Sequence, residues 1–348
     1  MSLNLSSQER LNLISNLGTM LGAGIPILDA VDSALKEAKG NPKKILEKLR
    51  EDLKEGKTIA ESFENSPDAF DPITVSLIKA AEESGTLDTT LKDLVISFKK
   101  EMEFSDKVKA ALAYPGLVVV VFLGVLLLVL GYVIPRIAVV FSRLNVSLPL
   151  PTQVLIFFSN LLLQYTIYVA GAAILVIILA VYLYNTRRKE LINFFYSFPL
   201  LSGLALEIDF ARFTHSLSLL LGAGIPITES LELCRFVVNR RDVETLIKNC
   251  KVAVDAGKKL SDGFAEDKKH LIPETMMRIT EAGEKSGTLE KSMQELSDYF
   301  ETRVANALKN FTTLLEPILL VIIGIFVGGL MLSIVSPIYQ LIGQIKGR

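Results

Sequence analysis

Three stretches of the chain run without a charged residue for a length that suits a bilayer: Gly116 to Ile134, about Thr166 to Tyr184, and Ile318 to Val335. At ~1.5 Å rise per residue, each covers roughly 27–29 Å as a helix, close to the hydrocarbon thickness. Water is absent there, so the backbone must satisfy itself within the segment, which selects helices. Elsewhere apolar positions recur with helical period, and no alternating strand pattern emerges. In the first third the pattern predicts six helices, at about 8–22, 26–39, 42–55, 58–65, 73–84 and 86–134. Gly24 ends the first, where a left-handed residue is wanted, and Pro26 opens the second. Asn41-Pro42 restarts the chain after Gly40, and Pro67 and Pro72 bracket a loop. In Ser84-Gly85-Thr86, Gly85 follows one helix end, Thr86 caps the next, and Asp88 lies in its positive first turn. The sixth helix has no stop before the membrane, with a kink expected at Pro115.

The pattern occurs twice. Leu21-Gly22-Ala23-Gly24-Ile25-Pro26-Ile27 returns, residue for residue, as Leu221-Gly222-Ala223-Gly224-Ile225-Pro226-Ile227. Gly56-Lys57 matches Gly257-Lys258, Phe63 matches Phe264, and Pro72 matches Pro273. Glu82 to Leu87 matches Glu284 to Leu289, with Lys285 where the first copy has Glu83. Pro115 and Pro135 bracket the first span as Pro317 and Pro337 bracket the third. The module therefore covers about 8–137 and 210–339.

Basic residues set the expected direction. Lys99, Lys100, Lys107 and Lys109 precede the first span, Arg187-Arg188-Lys189 follows the second, and 135–165 carries only Arg136 and Arg143. The positive-inside rule puts the two modules in the cytoplasm, with the second span returning the chain so that both enter the membrane in the same direction. The fold class expected is an all-α membrane protein of two parallel repeats. Each is a six-helix cytoplasmic bundle running into a transmembrane helix, with a third transmembrane helix between them. The boundaries are 1–113 and 185–315 for the bundles, and 114–135, 166–184 and 316–336 for the spans. Residues 136–165 form an external loop or interfacial helix, and 337–348 an external tail. Each bundle has an apolar face on every helix, so a fragment of residues 6–108 is expected to fold alone.

Composition agrees with this mixture. Half the residues are apolar, yet 22% are charged, too many for a chain wholly in lipid. The net charge of −1 gives no basic excess for a nucleic acid. No basic-then-apolar leader opens the chain. Cys234 and Cys250 lack metal-ligand spacing and read as free buried or semi-buried thiols. Gly56-Lys57-Thr58 resembles the end of a phosphate loop, but Glu51 occupies the position of its first glycine. Gly22-Ala23-Gly24 begins like a dinucleotide fingerprint, but Ile27 replaces its third glycine. His215 and His270 have no partner of their kind and read as solvated or hydrogen-bonded surface residues. No catalytic arrangement recurs in both copies, so no enzyme, cofactor or metal site is expected.

The residues common to both copies are the candidates. Gly24, Pro26, Gly224 and Pro226 form structural turns. Glu82, Gly85, Glu284 and Gly287 are candidates for a docking surface, their two acids solvated, so that reversing both charges should leave folding intact. Gly324 and Gly328 give the third span a small-xxx-small pattern for close helix packing, within the chain or in a homo-oligomer. A transporter subunit is the rival reading, since parallel repeats occur there. The three spans, however, hold no ionisable residue of the kind that usually marks a substrate path. A membrane scaffold is a second rival.

The doubled module, the LGAGIPI turn, the Glu-x-Ser-Gly-Thr-Leu turn, and the prolines at Pro115 and Pro317 resemble the GspF/PilC family over about 8–340. These are platform proteins of type II secretion systems and type IV pilus machines. Glu316-Pro317 looks like the acid-proline pair that members carry before the last span; the first copy has Tyr114 there. The resemblance implies an inner-membrane protein that is not an enzyme. It implies docking of a hexameric cytoplasmic ATPase on the modules, pilin or pseudopilin subunits lifted from the membrane, and other inner-membrane assembly proteins as neighbours. Members often carry a longer segment before the first module, thought to help contact the ATPase.

Overall fold

The computed structural model describes residues 4–143, 150–164, 171, 175, 199–267 and 269–346. The described residues contain helices and turns and no strand. In the first module they are α1 (Ser7–Gly22), α2 (Ile27–Glu37), α3 (Gly40–Lys54), α4 (Ile59–Glu64), α5 (Pro72–Ser84) and α6 (Leu87–Leu128). A π-helical turn (Val129–Val133) leads into α7 (Ile134–Arg143), and α8 (Leu150–Gln164) follows. The second module holds α9 (Pro199–Gly222), α10 (Ile227–Cys234), α11 (Arg241–Asp255), α12 (Leu260–Ala265), α13 (Glu274–Ser286) and α14 (Leu289–Lys346). Six helices per module match the sequence pattern.

The repeat is visible in how the helices stop. Gly24 and Gly224 both sit at φ 77°, and Gly85 and Gly287 both at φ 72°. Beyond Gly24 the Ile25 N–H reaches back to the Met20 carbonyl at 3.0 Å, and beyond Gly85 the Thr86 N–H reaches Ala81 at 2.9 Å. These six-to-one bonds close the helix ends and need a left-handed residue in between, which glycine supplies without steric cost. Pro26 and Pro226 stand just outside the helices they start, and their carbonyls accept the first turn's N–H from Ala30 and Ser230.

The described chain divides into two compact units, residues 1–107 with 192–306, and 108–191 with 307–348. In the first unit α5 packs against α9 and α10, so the two modules touch. Their buried apolar residues form one continuous cluster, from Ile14, Leu49, Phe63 and Phe70 to Phe210, Phe213, Phe264 and Phe300. The separate cores expected for each module are thus joined. His215 lies in this seam rather than on the surface: its Nε2 is 2.9 Å from Ser97 Oγ, and Lys100 pairs with Asp298 at 3.7 Å nearby. Burial pushes the His215 pKa down to about 4. Cys234 and Cys250 are free and buried, and burial pushes both thiols up, Cys250 to about 12.

The second unit holds the apolar ends of α6 and α14. Two helical runs, Leu87–Val139 and Leu289–Leu332, are long and apolar enough to cross a membrane, and their apolar windows are almost wholly unburied. Bare leucine and valine over that length suit lipid and not water. Phe122 and Phe326 meet edge-to-face at 5.3 Å between ring centres. The expected second span, 166–184, lies outside the described residues except for Gly171 and Leu175. Helix α6 continues through Pro115 without a break; the irregularity falls later, before Pro135, as the π turn. The segment 136–165 is helical where described, and α14 carries on past Pro337 to Lys346, through most of the expected tail.

Candidate functional site

The site builds up from the short helix α4. Every helix leaves its first N–H groups without an internal acceptor. Thr58 and Glu61 form a reciprocal cap: the Glu61 N–H donates to Thr58 Oγ1 at 3.1 Å, and the Thr58 N–H to Glu61 Oε2 at 2.9 Å. The two remaining donors, Ile59 and Ala60, go to the Glu82 carboxylate at 2.7 and 3.0 Å. Glu82 stands in the last turn of α5, so one side chain ties the end of one helix to the start of another. An anion at a helix N-terminus is also favoured by the macrodipole.

The second module repeats the device with Glu284. Its carboxylate accepts from the Leu260 N–H at 2.5 Å, from the Ser261 N–H at 3.3 Å, and from the Ser261 hydroxyl. The expectation of two solvated acids is therefore corrected: both are half-buried and engaged within their own module. Reversing their charge would place an ammonium against helix N–H groups, so folding would not be left intact.

The turn beyond each acid faces outward. Glu83, Ser84, Gly85 and Thr86 are exposed, as are Lys285, Ser286, Gly287 and Thr288. The serine and threonine hydroxyls brace the turn across the glycine, Ser84 to Thr86 at 2.7 Å and Ser286 to Thr288 at 2.6 Å. Around the second copy a surface hollow of about 180 Å³ is lined by Lys259, Ser261, Asp262, Glu281, Glu284 and Lys285.

The structure brings the two repeated turns to one end of each module. A Cβ added at Gly18 would lie 3.1 Å from Leu91 Cβ, and one at Gly22 would lie 3.0 Å from the Lys92 side chain, so α1 ends against the first turns of α6. In the second copy a Cβ added at Gly222 would lie 3.2 Å from Glu290 Oε1. Gly18 and Gly283 were not singled out from sequence. Gly283 lies under Ser292, whose Oγ would be 2.2 Å from an added Cβ. The repeat hides this, because the first copy has Ala81 there.

Pro115, Glu316 and Pro317, expected at membrane entry, belong to the second compact unit. Pro115 is buried; Glu316 and Pro317 are exposed on α14. Among the described residues nothing lies within 4 Å of a Cβ placed on Gly324 or Gly328, so no neighbour uses those glycines for close packing there. Also among them, no group of three or more His, Cys, Asp or Glu is placed to hold a metal ion.

Comparison with known proteins adds the following. The family model described as type II secretion system (T2SS), protein F matches residues 13–135 and again 213–337, the two modules. The chain is 30% identical to a type IV pilus assembly protein PilC of Myxococcus xanthus, over 94% of this chain and 79% of that protein. It is 28% identical to the PilC of Pseudomonas aeruginosa, over 95% and 89%. It is 26% identical to a type II secretion system protein F of Aeromonas hydrophila, over 97% and 87%.

Proposed function

The chain belongs to the family of type II secretion system (T2SS) protein F, and on that premise we propose that it is a non-enzymatic platform of the cell inner (cytoplasmic) membrane. It couples a cytoplasmic hexameric ATPase to the extraction and polymerisation of pilin or pseudopilin subunits, in type IV pilus assembly or type II protein secretion. The observation that carries this reading is the doubled helix that starts at an exposed Ser-Gly-Thr turn and extends into a bare apolar stretch, α6 in one copy and α14 in the other. Force applied at those turns has a covalent helical route toward the membrane in both copies. The names of the relatives, pilus assembly and type II secretion proteins, support the same assignment.

In this reading the modules are cytoplasmic, 136–165 and the C-terminus are external, and the chain crosses three times. Gly324 and Gly328, with no close neighbour among the described residues, serve contact with another copy in a homo-oligomer. Other inner-membrane assembly proteins are its neighbours. Exposed Glu83, Lys285 and the turns beside them form the ATPase-facing surface, while Glu82 and Glu284 hold those turns in place. Gentle purification of the full chain from native membranes tests the reading. Co-purification of a secretion or pilus ATPase with pilin-like subunits is expected; a tightly bound small molecule with none of these proteins would favour a transporter. Topology is read separately. A cysteine replacing Asn145 should react with an impermeant thiol reagent on spheroplasts and one replacing Lys39 should not; the reverse would overturn the orientation.

A further inference from the structure

The π turn at Val129–Val133 leaves a carbonyl that its own helix cannot serve. In it the Ile134 N–H donates five residues back, to the Val129 carbonyl. On that spacing the next carbonyl, Leu130, faces the nitrogen of Pro135, which carries no hydrogen. A carbonyl left without a donor in an apolar setting is costly, because no water replaces the missing bond. Here the donor comes from another helix. The Ser159 hydroxyl of α8 donates to the Leu130 carbonyl at 2.6 Å, and Ser159 is fully buried. Helix α8 packs along both the π turn and α7. The Arg136 guanidinium lies 3.8 Å over the Tyr132 ring, bridging the same turn on its own helix.

The second copy lacks the arrangement. Pro337 corresponds to Pro135, yet α14 runs through it as a continuous α-helix. The π turn therefore goes with the copy that has α8 after it. Register changes of this kind concentrate where helices must adjust.

We propose that Ser159 is a latch: it holds α8 against the first span by serving the carbonyl that Pro135 cannot serve, and its release lets the span change register at residues 129–135. The latch is independent of which partners the chain meets. It is tested on the full chain in lipid nanodiscs with a double-mutant cycle. Pro135→Ala restores an N–H in the helix, so Leu130 regains a donor and Ser159 becomes dispensable. Ser159→Ala should lower the Tm by several degrees and raise amide exchange across 129–136 with Pro135 present. With Pro135→Ala both effects should shrink to a small residue. Equal losses in the two backgrounds would mean that Ser159 matters only for packing, and silence in both would mean that the bond holds nothing; either overturns the latch. If Ser159→Ala fails to insert, Ser159→Thr and Ser159→Val, close in volume, read the hydroxyl alone, and equal behaviour of those two is the overturning result.

Discussion

In the first module the short helix α4 opens on Thr58; in the second the equivalent α12 opens on Lys259. Thr58 gives its helix a side-chain acceptor and lysine cannot. What remains the same is the acid that reaches back from the last turn of the following helix, Glu82 of α5 in one copy and Glu284 of α13 in the other. Glu284 carries more of the load, since it also takes the Ser261 hydroxyl. The copies differ again under the turn, where Ala81 fills space in the first and Ser292 presses on Gly283 in the second. A residue repeated in both halves of a duplicated protein can thus mark a joint of the fold.

The comparison can be broken most readily at the acids. Glu284→Ala should cost about 3 kcal/mol and Glu82→Ala about 2 kcal/mol, from lost charge-assisted bonds to otherwise orphaned N–H groups. Thermal unfolding of the purified chain measures both, and equal costs would remove the asymmetry argued here. Gly283→Ala should cost about 2 kcal/mol by overpacking against Ser292, although alanine is what the first copy carries at the matching place. Lys259→Thr runs the other way. It supplies the missing acceptor at the start of α12 and should stabilise by about 0.5–1 kcal/mol.

The smallest effect expected is one of pH, and it concerns the seam between the modules. His215 is held neutral by burial, with Lys100 also opposing its proton and Asp298 favouring it. Ser97 meets its ring, and Glu301 close by is itself pushed up by burial. An unfolded histidine binds its proton near 6.5. Between about 6.5 and 4 the unfolded chain therefore holds more protons at this position than the folded one. Stability from this group is complete above 6.5 and is lost as pH falls toward 4. The Tm difference between the parent chain and His215→Asn, followed across that window, should narrow as pH falls; a constant difference would place His215 outside the seam.

Much of this fold was legible in the sequence because its punctuation is local. A glycine at φ 72° or 77° and a proline before a helix act on the residues beside them, so six helices per module and their turns could be placed. What Glu82 does was not legible. Its partner Ile59 lies 23 residues away, and the glutamate reads as any surface acid until the two helices are packed. The seam was hidden for the same reason, with Ser97 and His215 separated by 118 positions. Pro115 and Pro135 look alike in sequence. Only the second has a serine from α8 set against the carbonyl it leaves open. Independent folding of 6–108 was inferred from the apolar faces of its helices; those faces continue into the second module's core, which one module's pattern cannot reveal.

On the function proposed above, the exposed turns meet the ATPase while the acids behind them hold the fold. A photo-crosslinking amino acid placed at Glu83 in one chain and at Lys285 in another, both exposed and outside the caps, tests it in native membranes. Both positions should capture the cytoplasmic ATPase, and Glu83 should still do so when Lys285 is changed. Capture from neither position, in cells where the same probe on another face of the modules does capture the ATPase, would contradict it.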